Sequence, residues 1–280
     1  MKIGKYNIYS IDTGSFRLDG GAMYGVVPKV IWERSSIPDS RNRIQLCSRS
    51  LLLCSKDRNI LVDTGMGLLW EEKHRDMYAI DNSESTLIES LKKIGTDPAD
   101  ITDVFLTHLH FDHTGGCTEI QNGRRIPAFP NALYYIQKEH YQWAINPSKK
   151  DRGSFIPEYF SVLMQSGILR FLDDEKYLDD EIEILTFSGH TPRQQTIKIA
   201  DSYSTLFFAA DIIPICSHIK IPYIMAYDLQ PAYTAAEKEA VLTTAADENW
   251  LIFLQHDPFN QGIRVKKGKS SFEVSAREQI

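Results

Sequence analysis

The stretch Thr107-His108-Leu109-His110-Phe111-Asp112-His113 constrains this chain more than any other feature. The apolar run Ile101 to Leu106 predicts a buried strand that leads directly into it. In extended backbone, residues two apart share a face, so His108 and His110 can address one ion. Asp112 and His113 fall on the turn that follows and can reach a second ion close by. Three of the chain's eight histidines lie in this one stretch. Imidazoles and a carboxylate packed this densely point to metal rather than to ordinary core packing. A donor set without thiolate suits zinc, iron or manganese and weighs against a cysteine-rich structural zinc site.

Three later residues have the same chemistry. His190 lies in Ser188-Gly189-His190-Thr191-Pro192, Asp211 in Ala209-Ala210-Asp211, and His256 in Leu254-Gln255-His256-Asp257-Pro258. Each follows a predicted strand, where a rigid scaffold presents binding residues on its loops.

The patterning predicts an α/β or α+β sandwich, read as one domain over residues 1–280. Tyr6 to Asp12 is the first expected strand, and Ser50 to Ser55 with Asn59 to Val62 is an expected hairpin. A helix is expected from Ser83, as its cap, to Ile94, and others over Lys138 to Ile145 and Pro157 to Gln165. Leu133 to Ile136, Glu181 to Phe187, Gln195 to Ile199, Thr205 to Ala209 and Trp250 to Leu254 are expected strands. A capping box at Thr234-Ala235-Ala236-Glu237 is expected to open a helix running to about Ala246.

Composition excludes several classes. With a net charge of −6 and mixed signs along the chain, the field repels a phosphate backbone, and no nucleic-acid partner is expected. The basic stretch Arg264 to Lys269 reads as a solvated edge or tail. No apolar run approaches the roughly 20 residues of a membrane span. The first residues lack the apolar stretch of a signal peptide, which predicts a cytoplasmic protein. Cys47, Cys54, Cys117 and Cys216 form no C-x-x-C pair, so they are expected to be free thiols, buried or partly buried, in a reducing compartment.

The H-x-H-x-D-H pattern of His108 to His113, with His190, Asp211 and His256 after it, resembles the metallo-β-lactamase fold superfamily from Ser50 to His256. The resemblance implies a four-layer αββα sandwich holding two divalent metal ions, zinc first, with iron or manganese as alternatives. It implies that His108, His110 and His190 hold one metal and that Asp112, His113 and His256 hold the other. The carboxylate of Asp211 would bridge them. Asp63, in Leu61-Val62-Asp63-Thr64-Gly65, would orient a ligand histidine. A metal-bridging hydroxide would then act as nucleophile, with Asp112 passing its proton to the leaving group.

The gaps between the motifs resemble those of N-acyl-homoserine lactonases and organophosphate hydrolases. This implies an enzyme that opens a lactone or ester, an N-acyl-homoserine lactone before others. Phosphotriester, aryl-ester and thioester hydrolysis on the same site remain open. So do an iron redox or oxygenase protein and a non-catalytic metal-binding module. Pro214 stands where lactonases of this family place a substrate-binding tyrosine, and Tyr223 is the candidate to replace it. The alternation Tyr223, Met225, Tyr227 equally describes a plain strand. Within the loop Gly20 to Pro28, Met23, Tyr24, Val26 and Val27 can form an apolar wall for a small-molecule substrate with an apolar part. The same loop is compatible with a homodimer.

Overall fold

Apolar runs too short for helices condense into two main sheets. The structure, a computed structural model, describes residues 1–269 and 271–280. It divides into two units: residues 1–15 with 48–175, and residues 16–47 with 176–280.

Most of a seven-stranded sheet forms the first unit; its second and third strands run on into residues 16–19 and 43–47 of the other unit. In chain order its strands are β1 (Lys2–Ile3), β2 (Tyr6–Asp19), β3 (Arg43–Cys54), β4 (Asn59–Val62) and β5 (Asp103–Phe105). A small hairpin, β6 (Thr118–Gln121) with β7 (Arg124–Pro127), stands apart, and β8 (Leu133–Gln137) and β9 (Leu169–Leu172) complete the large sheet. The order across that sheet is β1-β2-β3-β4-β5-β8-β9. The expected hairpin is present, with Leu51 opposite Val62 and Cys54 opposite Asn59. From β4 to β9 the strands run parallel. Parallel strands covered on both faces read as continuous apolar runs, as in Ile60-Leu61-Val62 and Val104-Phe105-Leu106. Leu52, Leu61, Val104, Tyr134 and Phe160 share one core.

The helix expected from Ser83 is shorter and begins later, at Leu87–Lys93. Its cap is Thr86, whose hydroxyl accepts from the Glu89 N–H at 3.2 Å and donates to the Glu89 carboxylate at 2.9 Å. This reciprocal pairing outcompetes Ser83. Lys138–Ala144 is helical as expected, whereas Pro157 to Gln165 splits into a 3-10 turn, Pro157–Tyr159, and a helix, Ser161–Gln165.

The second unit carries a six-stranded sheet in sequence order. Its strands are β10 (Ile182–Phe187), β11 (Gln194–Ala200), β12 (Thr205–Phe208), β13 (Leu251–Phe253), β14 (Gly262–Lys267) and β15 (Phe272–Glu278). Only β12 and β13 are parallel, with Leu206 opposite Leu251 and Phe208 opposite Phe253. The long helix Pro231–Asp247 connects them and buries Val241, Leu242 and Ala245 in the core formed by Phe207, Ile252 and Ile263.

One expectation is corrected and one narrowed. The helix opens at Pro231, not Thr234, because proline is pre-organised for the first helical position. Thr234 is an interior residue, and Glu237 caps a different segment, described below. The basic stretch Arg264 to Lys269 is solvated as expected but is a strand face rather than a tail: its first four residues lie in β14, where Lys266 and Lys267 are exposed and Ile263 and Val265 are buried. The four cysteines are free thiols, Cys47 and Cys117 buried, Cys54 and Cys216 half-buried. Among the described residues, no helix is long and apolar enough to cross a membrane.

Candidate metal centre

In the first unit, β5 ends at Phe105 and the chain passes through His108 and His110 into a short helix, Phe111–Thr114. All four candidate donors on this segment are buried. His108 Nε2 lies 3.0 Å from His110 Nδ1, and His113 Nε2 lies 3.8 Å from an Asp112 carboxylate oxygen. Asp63 sits at the end of β4 with a left-handed φ of 57°, a conformation that non-glycine residues adopt at a cost. That geometry aims its carboxylate at the turn. One oxygen accepts from the Thr107 backbone N–H at 2.7 Å, and the other from the Thr107 hydroxyl and from His113 Nδ1, both at 2.8 Å. The next turn closes against the same helix. A Cβ on Gly67 would lie 2.1 Å from the Gly115 carbonyl oxygen, and one on Gly115 would lie 1.9 Å from that of Met66, so both positions require glycine.

In the second unit, Asp211 follows β12, His256 follows β13 and His190 follows β10. The Asp211 carboxylate stands between the two histidines. One oxygen lies 3.1 Å from His190 Nε2 and the other 3.1 Å from His256 Nε2. Ala210, immediately before Asp211, is held at a φ of 45°. His190 Nδ1 donates to Asp228 at 2.8 Å, and His256 Nδ1 donates to the Cys47 carbonyl at 3.0 Å. Phe16 packs edge-on against the His256 ring.

These contacts fix the imidazole tautomers. A carboxylate and a carbonyl only accept, so the Nδ1 atoms of His113, His190 and His256 carry the protons. In the neutral imidazole their Nε2 atoms then present lone pairs. At Asp211 two such lone pairs face two carboxylate oxygens, an arrangement that repels unless positive charge lies between them. Imidazole nitrogens whose far side is anchored by an acceptor, set beside carboxylates, match the donor chemistry of a divalent transition-metal ion. The residues of both units fit such ions.

Several participants were not legible in the chain. Asp228 holds His190, and Glu237 accepts from the Ser188 and Gly189 N–H groups at 2.8 and 3.0 Å, fixing the turn before it. On Gly189 a Cβ would lie 2.3 Å from the Thr234 nitrogen. His140, buried, accepts from the Leu109 N–H at 2.9 Å and pins the backbone between His108 and His110. Beside Asp112 an aromatic group gathers: Phe111 packs edge-on against Trp70 at 5.4 Å and at a tilt of 32° against Tyr78 at 5.1 Å. Burial, aided by the Asp112 charge, raises the Tyr78 phenol above its ordinary range.

Tyr223 is buried but lies on no strand; the segment 221–228 is turns and irregular chain. Its hydroxyl meets Lys220 Nζ at 3.4 Å, and its ring packs edge-on against Tyr24 at 5.6 Å. The fully buried Lys238 donates to the Lys220 and Tyr223 carbonyls at 3.1 and 2.7 Å. Burial pulls this lysine down to about 7. Among the described residues Tyr223 makes no hydrogen bond to His190, Asp211 or His256. The loop Gly20 to Pro28 splits in role. Met23 and Tyr24 are buried, Tyr24 stacks on Trp32 at 5.2 Å, and His218 Nε2 donates to the Met23 carbonyl at 2.8 Å. Val26 is 89% exposed and is the apolar side chain the loop offers outward.

Comparison with known proteins agrees with the geometry within each unit. The metallo-beta-lactamase superfamily model matches residues 48–256. The chain is 26% identical over 192 residues to the N-acyl homoserine lactonase AttM of Rhizobium radiobacter, covering 65% of this chain and 68% of that protein. A probable metal-dependent hydrolase from Staphylococcus aureus superimposes with a TM-score of 0.91 at 26% identity, over 100% of this chain and 99% of that one. AidC, a dizinc quorum-quenching lactonase in complex with the product N-hexanoyl-L-homoserine, gives 0.83 at 25% identity, over 100% and 97%. This chain belongs to the metallo-beta-lactamase superfamily and is one of its hydrolases.

Proposed function

We propose that this chain is a dinuclear metal-dependent hydrolase of small lactones or esters with an apolar part, N-acyl-homoserine lactones first among them. The observation that carries the reading is the Asp211 carboxylate, with one oxygen 3.1 Å from each of two histidine nitrogens whose other side is anchored. In this reading His108, His110 and His190 hold one ion, Asp112, His113 and His256 hold the other, and Asp211 is shared. Residues 1–280 then work as one catalytic domain.

Two divalent ions bound there supply Lewis acidity for the carbonyl under attack and lower the pKa of water toward neutrality. The protein's own groups do the rest. Asp63, Asp228 and the Cys47 carbonyl hold three imidazoles in their working tautomer and orientation. Asp112, beside His113, takes the proton of the attacking water and delivers it to the departing alkoxide. The half-buried ring faces of Trp70 and Tyr78 receive an acyl chain and exclude water from it. Tyr223 is the candidate to hold the substrate carbonyl. Lactonase relatives at modest identity support this substrate class.

The test is proton release by the zinc-loaded protein on a long-chain N-acyl-homoserine lactone, with Asp112→Ala as control. Rapid ring opening that the variant loses supports the lactonase. Protein carrying two metals and opening no lactone refutes it, and phosphotriesters, aryl esters and thioesters become the next substrates.

A further inference from the structure

The second unit contains a pocket of about 480 Å³ that none of the seven candidate ligands lines. Its size falls within the range of roughly 300–1,000 Å³ typical of small-molecule sites. Three guanidinium groups face it: Arg17 from β2, Arg34 after the short helix Lys29–Trp32, and Arg277 from β15. In a chain of net charge −6 this is a local reversal of sign.

The arginines are not neutralised from within. Arg17 is half-buried, and neither it nor Arg34 has a hydrogen bond or ion pair among the described residues. Arg277 donates to the Asn260 side-chain oxygen at 2.9 Å, which leaves its terminal nitrogens available. One carboxylate lines the pocket, Asp257, and it is engaged by the fold. One oxygen accepts from the Phe259 and Asn260 N–H groups and the Asn260 amide, the other from the Cys216 N–H. A guanidinium presents a planar fork matched to carboxylate, sulfonate or phosphate oxygens. The rim is apolar: Ile37 is 85% exposed and Phe259 77% exposed. A purely inorganic anion would leave both in water.

We propose that this pocket binds an amphipathic organic anion, its acidic head on Arg17, Arg34 and Arg277 and its apolar body against Ile37 and Phe259. Sulfonates are suitable probes because they are poor metal ligands and do not compete for the histidines. Calorimetric titration of the metal-loaded protein with decane-1-sulfonate is expected to show one molecule bound per chain. Butane-1-sulfonate and inorganic phosphate are each expected to bind about tenfold more weakly or worse. Arg34→Gln, at an exposed position that leaves the fold intact, is expected to weaken decane-1-sulfonate about tenfold, and Arg34→Gln with Arg277→Gln further. Unchanged thermal unfolding of the variants shows that the loss is local. Undiminished binding by the double variant, phosphate binding as tightly as decane-1-sulfonate, or binding of many molecules per chain would each overturn the proposal. The readout is independent of hydrolysis, so failure of the lactonase reading leaves it standing.

Discussion

The two candidate donor sets solve one problem by opposite means. In the first unit four donors lie within six positions, and a single strand-to-helix turn places them all. In the second, His190, Asp211 and His256 are far apart in the chain, and the sheet assembles them. The parallel pairing of β12 with β13 puts Phe208 beside Phe253, so the segments carrying Asp211 and His256 leave the sheet side by side. The local set depends on turn chemistry, which Asp63, Gly67 and Gly115 enforce. The assembled set depends on register and on acceptors brought from elsewhere, Asp228 and the Cys47 carbonyl. Positional information can therefore sit in a motif or in a sheet, and the chemistry at the donors does not distinguish them.

Breaking either set directly has the largest expected effect. His110→Ala and Asp211→Ala are each expected to lower bound metal and to cut hydrolysis by more than the roughly 100-fold seen when only a supporting group is lost. Metal content by mass spectrometry beside the rate on a lactone checks this. If Asp211→Ala retains both metals and full rate, the assembled set is not part of the centre.

The orienting carboxylates give the sharper comparison. Asp63→Asn and Asp228→Asn each leave the donors in place and remove an anion that holds a histidine tautomer. Losses of about 10–100-fold in metal affinity are expected for both. A loss for one alone would show that one set carries the metal without the other.

A smaller effect is expected one step further out. Glu237→Gln weakens the carboxylate grip on the Ser188 and Gly189 N–H groups. The expected stability loss is about 1.5–3 kcal/mol in urea unfolding, as for a charge-assisted hydrogen bond. Glu237 acts through backbone, so the pH profile of hydrolysis should hold its shape.

The smallest expected effect is on pH. Burial, with help from Lys238, pulls the His218 imidazole from 6.5 down to about 3. The unfolded chain takes up a proton below pH 6.5 that the folded chain refuses. The stability His218 contributes as a neutral donor is thus present above pH 6.5 and drains away as pH falls toward 3. The slope is at most about 1.4 kcal/mol per pH unit. Comparing urea midpoints of the wild type and His218→Gln between pH 7.5 and 5.5 isolates that slope, and parallel curves would exclude it.

What could be read from the chain follows the same division. His108 to His113 announce themselves because their geometry is local. Asp63 was legible only through its resemblance to a family turn. Asp228 and Glu237 carry no local signature, since each meets its partner 38 to 49 positions away through the fold. The helix start was misplaced because Ser83 and Thr86 are both good caps, and only Thr86 has a glutamate three residues on. β14 was hidden by its charges: Arg264 and Lys266 occupy one face while Ile263 and Val265 fill the other. The secondary structure near Tyr223 was misleading for the converse reason, an apolar alternation with no strand to pair with.

The pairing of β12 with β13 has a consequence for how such a protein changes over generations. The sheet, not the intervening chain, sets the distance between the Asp211 and His256 backbones. Residues 213–249, loop and long helix together, are then a tether pinned where Asp228 and Glu237 reach His190 and its turn, and its length between those pins and the two strands is free to drift. New turns can be added or trimmed there without respacing the ligands, leaving a lineage room to retailor what it recognises while its chemistry stays fixed.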